Sequence, residues 1–470
     1  MCSIKFARLE QEHKMKIPTT PPDIQTLITQ ALELGAEHYV GLLSGANPAP
    51  SGKYRHWDVL RHLAPPEGLT PEQWWLGVKL ARRSLYRDLP LTDRRGRPFR
   101  YAVVDPMLRM LHEIDQQATG AIKGADQVTD PQTRDTYLIK SLLEEAITSS
   151  QLEGASTTRE VAKDMLQRGR PPRDRSEQMI SNNYRAMEFI RRIRTERLTP
   201  GIVSELHRIL TTEALDDPTA AGRLRRADET IHVVDEIGRT LHIPPDASEL
   251  ADRMARLCEF ANATSGEPFI HPVVRAILLH LWLAYDHPFV DGNGRTARAL
   301  FYWSMASQGY WLCEYISISR ILRQAPGNYV RAFLYTETDD NDATYFVLNQ
   351  LRVTVRAIHD LHEFLRRKAE QLRETRRAIE ASSYLNSTLN HRQLALLNHA
   401  IRNPRFNYTI ESHRRSHNIS YQTARTDLLA LAELGLLDRS KAGKAFVFLA
   451  PPDLRARTPE GSADGIHPSS

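Results

Sequence analysis

Cysteine is scarce: Cys2, Cys258 and Cys313 are the only three in 470 residues. They lie far apart and lack zinc-ligand spacing. This excludes a disulfide framework and a cysteine-built metal centre, and fits a reducing, cytoplasmic setting. Long hydrophobic runs are also missing. The most apolar stretch, 272–284, contains Arg275 and His280 and is too short to cross a bilayer, so a buried core helix and no membrane partner are expected. Residues 1–16 lack the apolar centre of a secretory signal. Nor is there a strong excess of one charge: 62 Lys+Arg against 57 Asp+Glu leaves +5. Any nucleic-acid surface must therefore come from local clustering. The length favours roughly two to four domains.

What is present is helical periodicity. Apolar residues recur at three- and four-residue spacing along most of the chain, so a mainly α fold is expected. Residues 1–125 read as a helical region holding Trp57, Trp74 and Trp75 and a turn at 93–97, with no chemistry assigned. A helix is expected over about 134–153, with Leu138, Ile139, Leu142, Leu143 and Ile147 on its apolar side and Gly154 as its stop. Residues 230–243 break the pattern: two short β-rich runs flank a Gly-containing turn and are stopped by Pro244-Pro245, which reads as a hairpin. A central domain is placed at 126–365. The charged run 352–379 reads as a solvated helix, of which 366–388 links to a terminal module at 389–450. The Pro-, Ser- and Gly-rich tail 451–470 is expected to be disordered.

The chemistry concentrates in His287-Pro288-Phe289-Val290-Asp291-Gly292-Asn293-Gly294-Arg295. Gly292 and Gly294 permit backbone conformations closed to other residues and close approach of a ligand. A helix starting there would aim its free amides and positive dipole end at an anion. Arg295 and Arg298, one turn apart, add two guanidinium forks for phosphate oxygens. Asp291 is a hard oxygen ligand of the kind Mg²⁺ uses when it shares a site with phosphates. His287 titrates in the range that suits a general base. Phe289, apolar in a polar loop, is expected to anchor the loop in the core. Singly, each of these would read as a turn, a solvated face or a structural histidine. Together they describe phosphoryl or nucleotidyl transfer.

The run His287 to Arg298 resembles the motif of the Fic family at every position, and the resemblance covers about residues 130–350. It implies a Fic-type helical domain with a β-hairpin flap, and transfer of AMP from ATP to a protein Ser, Thr or Tyr hydroxyl with release of pyrophosphate. On this resemblance His287 deprotonates the target and Asp291 holds Mg²⁺. Gly292, Asn293 and Gly294 cradle the phosphates, and Arg295 and Arg298 bind the outer ones. Residues Ile231, His232, Val233 and Val234 of the hairpin match the flap that docks the target by strand addition. Ser149-Ser150-Gln151-Leu152-Glu153-Gly154 resembles the family's inhibitory motif, which implies that Glu153 pairs with Arg298 and displaces a phosphate. Ser149, one turn earlier, is expected to help hold the glutamate.

From residue 389 the order is helix, helix, then a third helix after Ser420, a basic turn at 440–444 and a return strand at 445–448. This resembles a winged helix-turn-helix. Its third helix would offer Tyr421, Gln422, Arg425 and Thr426 to a DNA major groove, with Lys441 and Lys444 on the wing. Arg414 and Arg415 add charge, while Asp427 and Glu433 are expected to dilute it. DNA and a docking protein both stay open as partners of this module, as does a homodimer. Two other activities stay open as well: a nucleotide-sensing transcription regulator built on the same domain, and removal of AMP or transfer of another nucleotide at the same loop.

Overall fold

The computed structural model describes residues 2–5, 16–118, 131–235, 237–263, 268–381, 387–402, 406–442, 445–451 and 454. Lys444 and nearly all of the tail 451–470 lie outside them. The architecture is mainly α. The chain divides into two compact units, Met1–Ile122 with Tyr137–Asp360 and Lys123–Thr136 with Leu361–Ser470. Among the described residues no helix is long and apolar enough to cross a membrane.

At the centre of the first unit the helices Pro272–Asp286 and Asn293–Ser307 pack on each other, joined by the loop 287–292. The entry helix starts at Pro272 because the His271 side chain accepts from Val273 N and proline suits the first helical turn. Its sequence is apolar all round, so it must be enclosed on every side. Two polar side chains in its middle each find a partner, although His280 Nδ1 has none among the described residues. Arg275 donates to Phe260 O at 2.7 Å, and His280 Nε2 meets Tyr329 Oη at 2.8 Å. The helices Arg175–Arg192, Pro200–Thr211 and Leu250–Asn262 surround this pair. The helix Pro131–Leu152 ends where expected: Gly154 adopts φ 95 and Ala155 N donates back to Ser150 O at 3.0 Å.

Three short sheets accompany the helices. Strand β1 (Cys2–Lys5) pairs in parallel with residues 231–234. Strands β2 (Tyr86–Thr92) and β3 (Pro98–Ala102) form an antiparallel hairpin in a region read from sequence as helical. The turn at 93–97 is its tip, where Asp93 Oδ1 accepts from Arg95 N and Arg97 N. Strands β4 (Ile231–Val234) and β5 (Thr240–His242) form the expected antiparallel hairpin. The N-terminal region is tied to the core by buried polar contacts. Lys79 Nζ meets Asp339 Oδ1 at 2.7 Å, Arg82 donates to Tyr345 Oη at 2.7 Å, and Tyr54 donates to Asp342 Oδ2 at 2.6 Å. The charged run 352–379 continues a helix that begins at Thr344, where Phe346, Val347, Leu351 and Ile358 are buried.

In the second unit the helices His391–Arg402, Ile410–His417 and Tyr421–Glu433 precede strands β6 (Asp438–Ala442) and β7 (Ala445–Leu449). Leu397, Ala400, Ala424, Leu428, Leu431 and Phe448 form its core. Ser420 caps the third helix by accepting from Thr423 N at 3.1 Å. Two sequence expectations change here. Asp427 does not dilute a surface: it is buried, and its carboxylate takes Arg392 at 2.9 Å and His413 at 3.1 Å. Arg414 and Arg415 share the one Glu411 carboxylate at 2.8 and 2.7 Å, which halves the positive charge they add.

Candidate active site

His287 closes the entry helix, donating its amide to Leu283 O at 3.0 Å, and sits in the left-handed region at φ 47. Its Nδ1 lies 3.2 Å from Ala284 O. A carbonyl can only accept, so Nδ1 carries the proton and Nε2 keeps a lone pair. Nε2 is buried and has no hydrogen-bond partner among the described residues. Burial pushes the imidazole pKa down to about 4, so it is neutral near pH 7. The backbone that presents it is fixed by Arg225, whose Nε donates to His287 O at 3.1 Å and whose amide donates to Pro288 O at 2.9 Å.

The rest of the loop is held from below. The Asn293 side chain bridges Phe289, accepting from its amide at 2.9 Å and donating to its carbonyl at 2.8 Å. Phe289 is fully buried and stacks on His207 with ring centroids 3.7 Å apart. His207 accepts from Gly222 N at 2.9 Å and donates from Nε2 to Asp291 O at 2.8 Å. Gly292 takes φ 81, and a methyl group there would meet Thr211 Cγ2 at 2.8 Å, so glycine is required on both counts.

At the start of the exit helix Arg295 is buried and donates to Leu210 O at 3.0 Å, with its other fork 3.7 Å from Asp291 Oδ1. Its Nε and Nη2 are buried donors without a hydrogen-bond partner among the described residues. Arg298 donates from Nε to Ser149 Oγ at 2.9 Å, and from Nη2 to Ser149 O at 3.0 Å and Glu153 Oε1 at 2.9 Å. The Glu153 carboxylate lies directly over Gly294, where a Cβ would collide with its Oε1. An anion already occupies the mouth of the helix.

The family model described as Fic/DOC family matches residues 197–305, a segment that spans this loop and the helices around it. Residues 197–305 thus resemble a Fic/DOC-family domain. Its relatives include the protein adenylyltransferase Fic of Drosophila mojavensis, 35% identical over 127 residues that make up 27% of this chain and 23% of that protein. The Drosophila melanogaster protein of the same name is 34% identical over 127 residues, 27% of this chain and 24% of its own. The chain thus spans about a quarter of the length of the curated relatives it matches. Among solved structures, a Fic family protein from Desulfovibrio desulfuricans G20 is 18% identical, with 74% of this chain and 97% of that chain covered and a TM-score of 0.48. A Fic domain containing signaling protein from Bacteroides thetaiotaomicron VPI-5482 is 19% identical, covering 56% of this chain and 97% of that chain at a TM-score of 0.45.

The cleft beside His287 is lined by Glu153, Gly294, Val233, Leu241, Tyr329 and Phe333. Of the hairpin residues, Val233 therefore faces the loop, while Ile231 is buried and His232 and Val234 are half-buried. Two roles differ from the sequence reading. Ser149 holds the arginine, not the glutamate, through both its hydroxyl and its carbonyl. The Asn293 side chain is spent on Phe289, so only its backbone is left for a ligand. Sequence reasoning missed His207 and Arg225, because nothing local marks a helical histidine or a loop arginine as a prop for residues 60 or more positions away. It also missed Arg175, 3.5 Å from Asp291 Oδ2. The candidate DNA contacts Tyr421, Gln422, Arg425, Thr426 and Lys441 are all exposed in the second unit.

Burial also gives the molecule a pH dependence. It lowers His56, His207 and His287 from 6.5 to about 4, and His280 to about 3. These groups stay neutral when folded but protonate once unfolded, so their contribution to stability is complete above pH 6.5 and is lost as the pH falls below it. Asp286, raised by burial to about 7, acts in the opposite sense. So do His242, which Glu337 raises against its burial, and the buried Glu145. Four lowered histidines still outweigh these three, so the melting temperature is expected to drop by about 2 to 5 °C between pH 7 and 5.5. A melting curve that is flat over this interval would contradict these assignments.

Proposed function

We propose that the loop transfers AMP from ATP to a protein Ser, Thr or Tyr hydroxyl, releasing pyrophosphate, and that Glu153 holds the reaction off. The observation that carries this reading is the Glu153 carboxylate, seated on Arg298 and over Gly294 where a phosphate oxygen would bind. His287 Nε2, neutral and unpartnered, is suited to take the proton from the attacking hydroxyl. Gly292, Gly294 and the Asn293 amide would meet the phosphates, with Arg295 and Arg298 on their outer oxygens. The adenine has an apolar slot between Val233, Leu241, Tyr329 and Phe333.

Among the described residues no group of three or more His, Cys, Asp or Glu side chains is arranged to hold a metal by itself. Mg²⁺ seldom asks for one: a single carboxylate and substrate phosphates suffice, and Asp291, partly exposed beside the loop, fits that need. When bound with ATP, the ion would neutralise charge between the α- and β-phosphates. The hairpin β4–β5 would align the target backbone by strand pairing. Incubating the Glu153→Gly protein with ATP labelled at the α- or γ-phosphate tests the reaction class. The account expects α label on protein and γ label in pyrophosphate; γ label on protein, or none from either, would sink it.

A second reading concerns the terminal unit, which we propose is a winged helix-turn-helix that binds DNA. In support, Tyr421, Gln422, Arg425 and Thr426 share one exposed face, and Arg425 has no ion pair among the described residues. Arg425→Ala is expected to weaken DNA binding by roughly 10-fold in a mobility-shift titration. Binding that is absent, or indifferent to salt, would favour a protein-docking module.

A further inference from the structure

The helix Pro326–Thr338 serves two cavities. Its residues Val330, Phe333 and Leu334 line the cleft beside His287. Asn328, Arg331 and Tyr335 instead wall a separate cavity of about 490 Å³, closed on another side by the start of the helix that begins at Thr344. Tyr329 borders both. The volume is that of an ordinary small-molecule site.

The two ends of this cavity differ in chemistry. At one end Tyr54 and Tyr345 spend their hydroxyls on Asp342 and Asp339, at 2.6 and 2.8 Å, so what they offer a ligand is ring carbon. Tyr335 is beside them, stacked on His56 with ring centroids 4.4 Å apart. Arg352 and Arg356 lie further along the helix from Tyr345, by about 10 and 16 Å at its usual rise, and Arg331 joins them from the opposite wall. None of the residues lining the cavity is acidic. Arg352 and Arg356 are four apart, a like-charge spacing that costs helix stability when no anion offsets it. Asp360 approaches Arg356 at 3.6 Å but gives its shorter contact, 2.7 Å, to Arg320. Arg352 has no ion pair among the described residues, and burial lowers its guanidinium pKa with no carboxylate to oppose the shift. The contact of Arg331 is a neutral one, to Asn328 Oδ1 at 3.5 Å. A concave surface lined by charge of one sign concentrates the field on an ion of the other.

We propose that this cavity is a second ligand site, which takes a phosphorylated small molecule of nucleotide size with its ring against the tyrosines and its phosphates on Arg331, Arg352 and Arg356. A nucleoside di- or triphosphate separates ring and phosphates in this way, and planar guanidinium forks match phosphate oxygens. The site does not depend on the transfer reaction proposed above. A ligand there bears on the back of the helix that walls the cleft.

Calorimetric titration of full-length Glu153→Gly protein with α,β-methylene-ATP tests this, because the carbon bridge lets the nucleotide bind without transfer. Two bound molecules per chain are expected, one in each cavity. Arg331 and Arg352 are exposed, so replacing both with alanine should leave the melting temperature in place and weaken one of the two sites by about tenfold or more. Inorganic tripolyphosphate should compete for that site more weakly than the nucleotide; equal affinity would overturn the part given to the tyrosines. A single site that is lost with the arginines would uphold the inference and count against nucleotide in the cleft. One or two sites that the arginine changes leave alone would overturn the inference and leave AMP transfer standing. No binding at all would overturn both.

Discussion

Replacing Glu153 with glycine is expected to raise AMP transfer by about 10- to 100-fold, the worth of one charge-assisted hydrogen bond to a charged group. The argument turns on what remains when the carboxylate is removed. Arg298 is buried and still held by the hydroxyl and carbonyl of Ser149, so its guanidinium stays aimed at the site instead of swinging away. The vacated position lies over Gly294, whose lack of a side chain lets a phosphate approach the first turn of the exit helix. Glu153→Gln, which keeps the shape and removes the charge, should fall between the wild type and glycine variants. Ser149→Ala in the Glu153→Gly background should lower the gain, because Arg298 then loses the hydroxyl that accepts from its Nε. Initial rates with labelled ATP read all four proteins. Equal rates in wild type and Glu153→Gly would mean that the carboxylate yields to ATP unaided.

Removing the imidazole should have the larger effect in the other direction. In the Glu153→Gly background, a change at His287 is expected to lower kcat by about 10²- to 10⁴-fold, the usual contribution of a general base. Asparagine is the better replacement than alanine. His287 sits at φ 47, where asparagine is tolerated and alanine adds backbone strain. Binding of ATP should be nearly unchanged, since the groups proposed to meet phosphate are Arg295, Arg298 and the amides of 292–294, not the imidazole. A His287→Asn protein with a raised KM for ATP and an intact kcat would assign the residue to binding instead. Because burial holds the free imidazole near 4, activity on the kcat/KM profile should persist below pH 6.5 before its acid limb.

The candidate site was legible in the sequence because it is contiguous. Base, carboxylate, glycines and arginine occupy one short run, and the helix before it is apolar enough to be recognised as core. The hairpin at 230–243 announced itself through β-branched residues and a stopping proline pair. The Glu153 contact bridges residues far apart in sequence, and no local pattern in this chain contains it; it was readable only through the family resemblance. The structure then reassigned its supporting cast: Ser149 grips Arg298, and Asn293 grips Phe289.

What sequence reading lost was non-local. Strands β1, β2 and β3 are short, and their pairing depends on partners that periodicity cannot see. His207 and Arg225 act through carbonyls on the loop, which leave no mark in composition. Asp427 shows the same limit on a helix. Its position suggested a surface acid, but Arg392 and His413 on neighbouring helices turn it inward and satisfy it there.

The most direct test of a poised but blocked transferase is intact-mass analysis of three proteins after incubation with ATP and Mg²⁺: wild type, Glu153→Gly, and Glu153→Gly with His287→Asn. The account expects little change in the first, a gain of one AMP in the second and none in the third. An unmodified second protein that also leaves added protein acceptors unlabelled, or equal modification of the second and third, would contradict it.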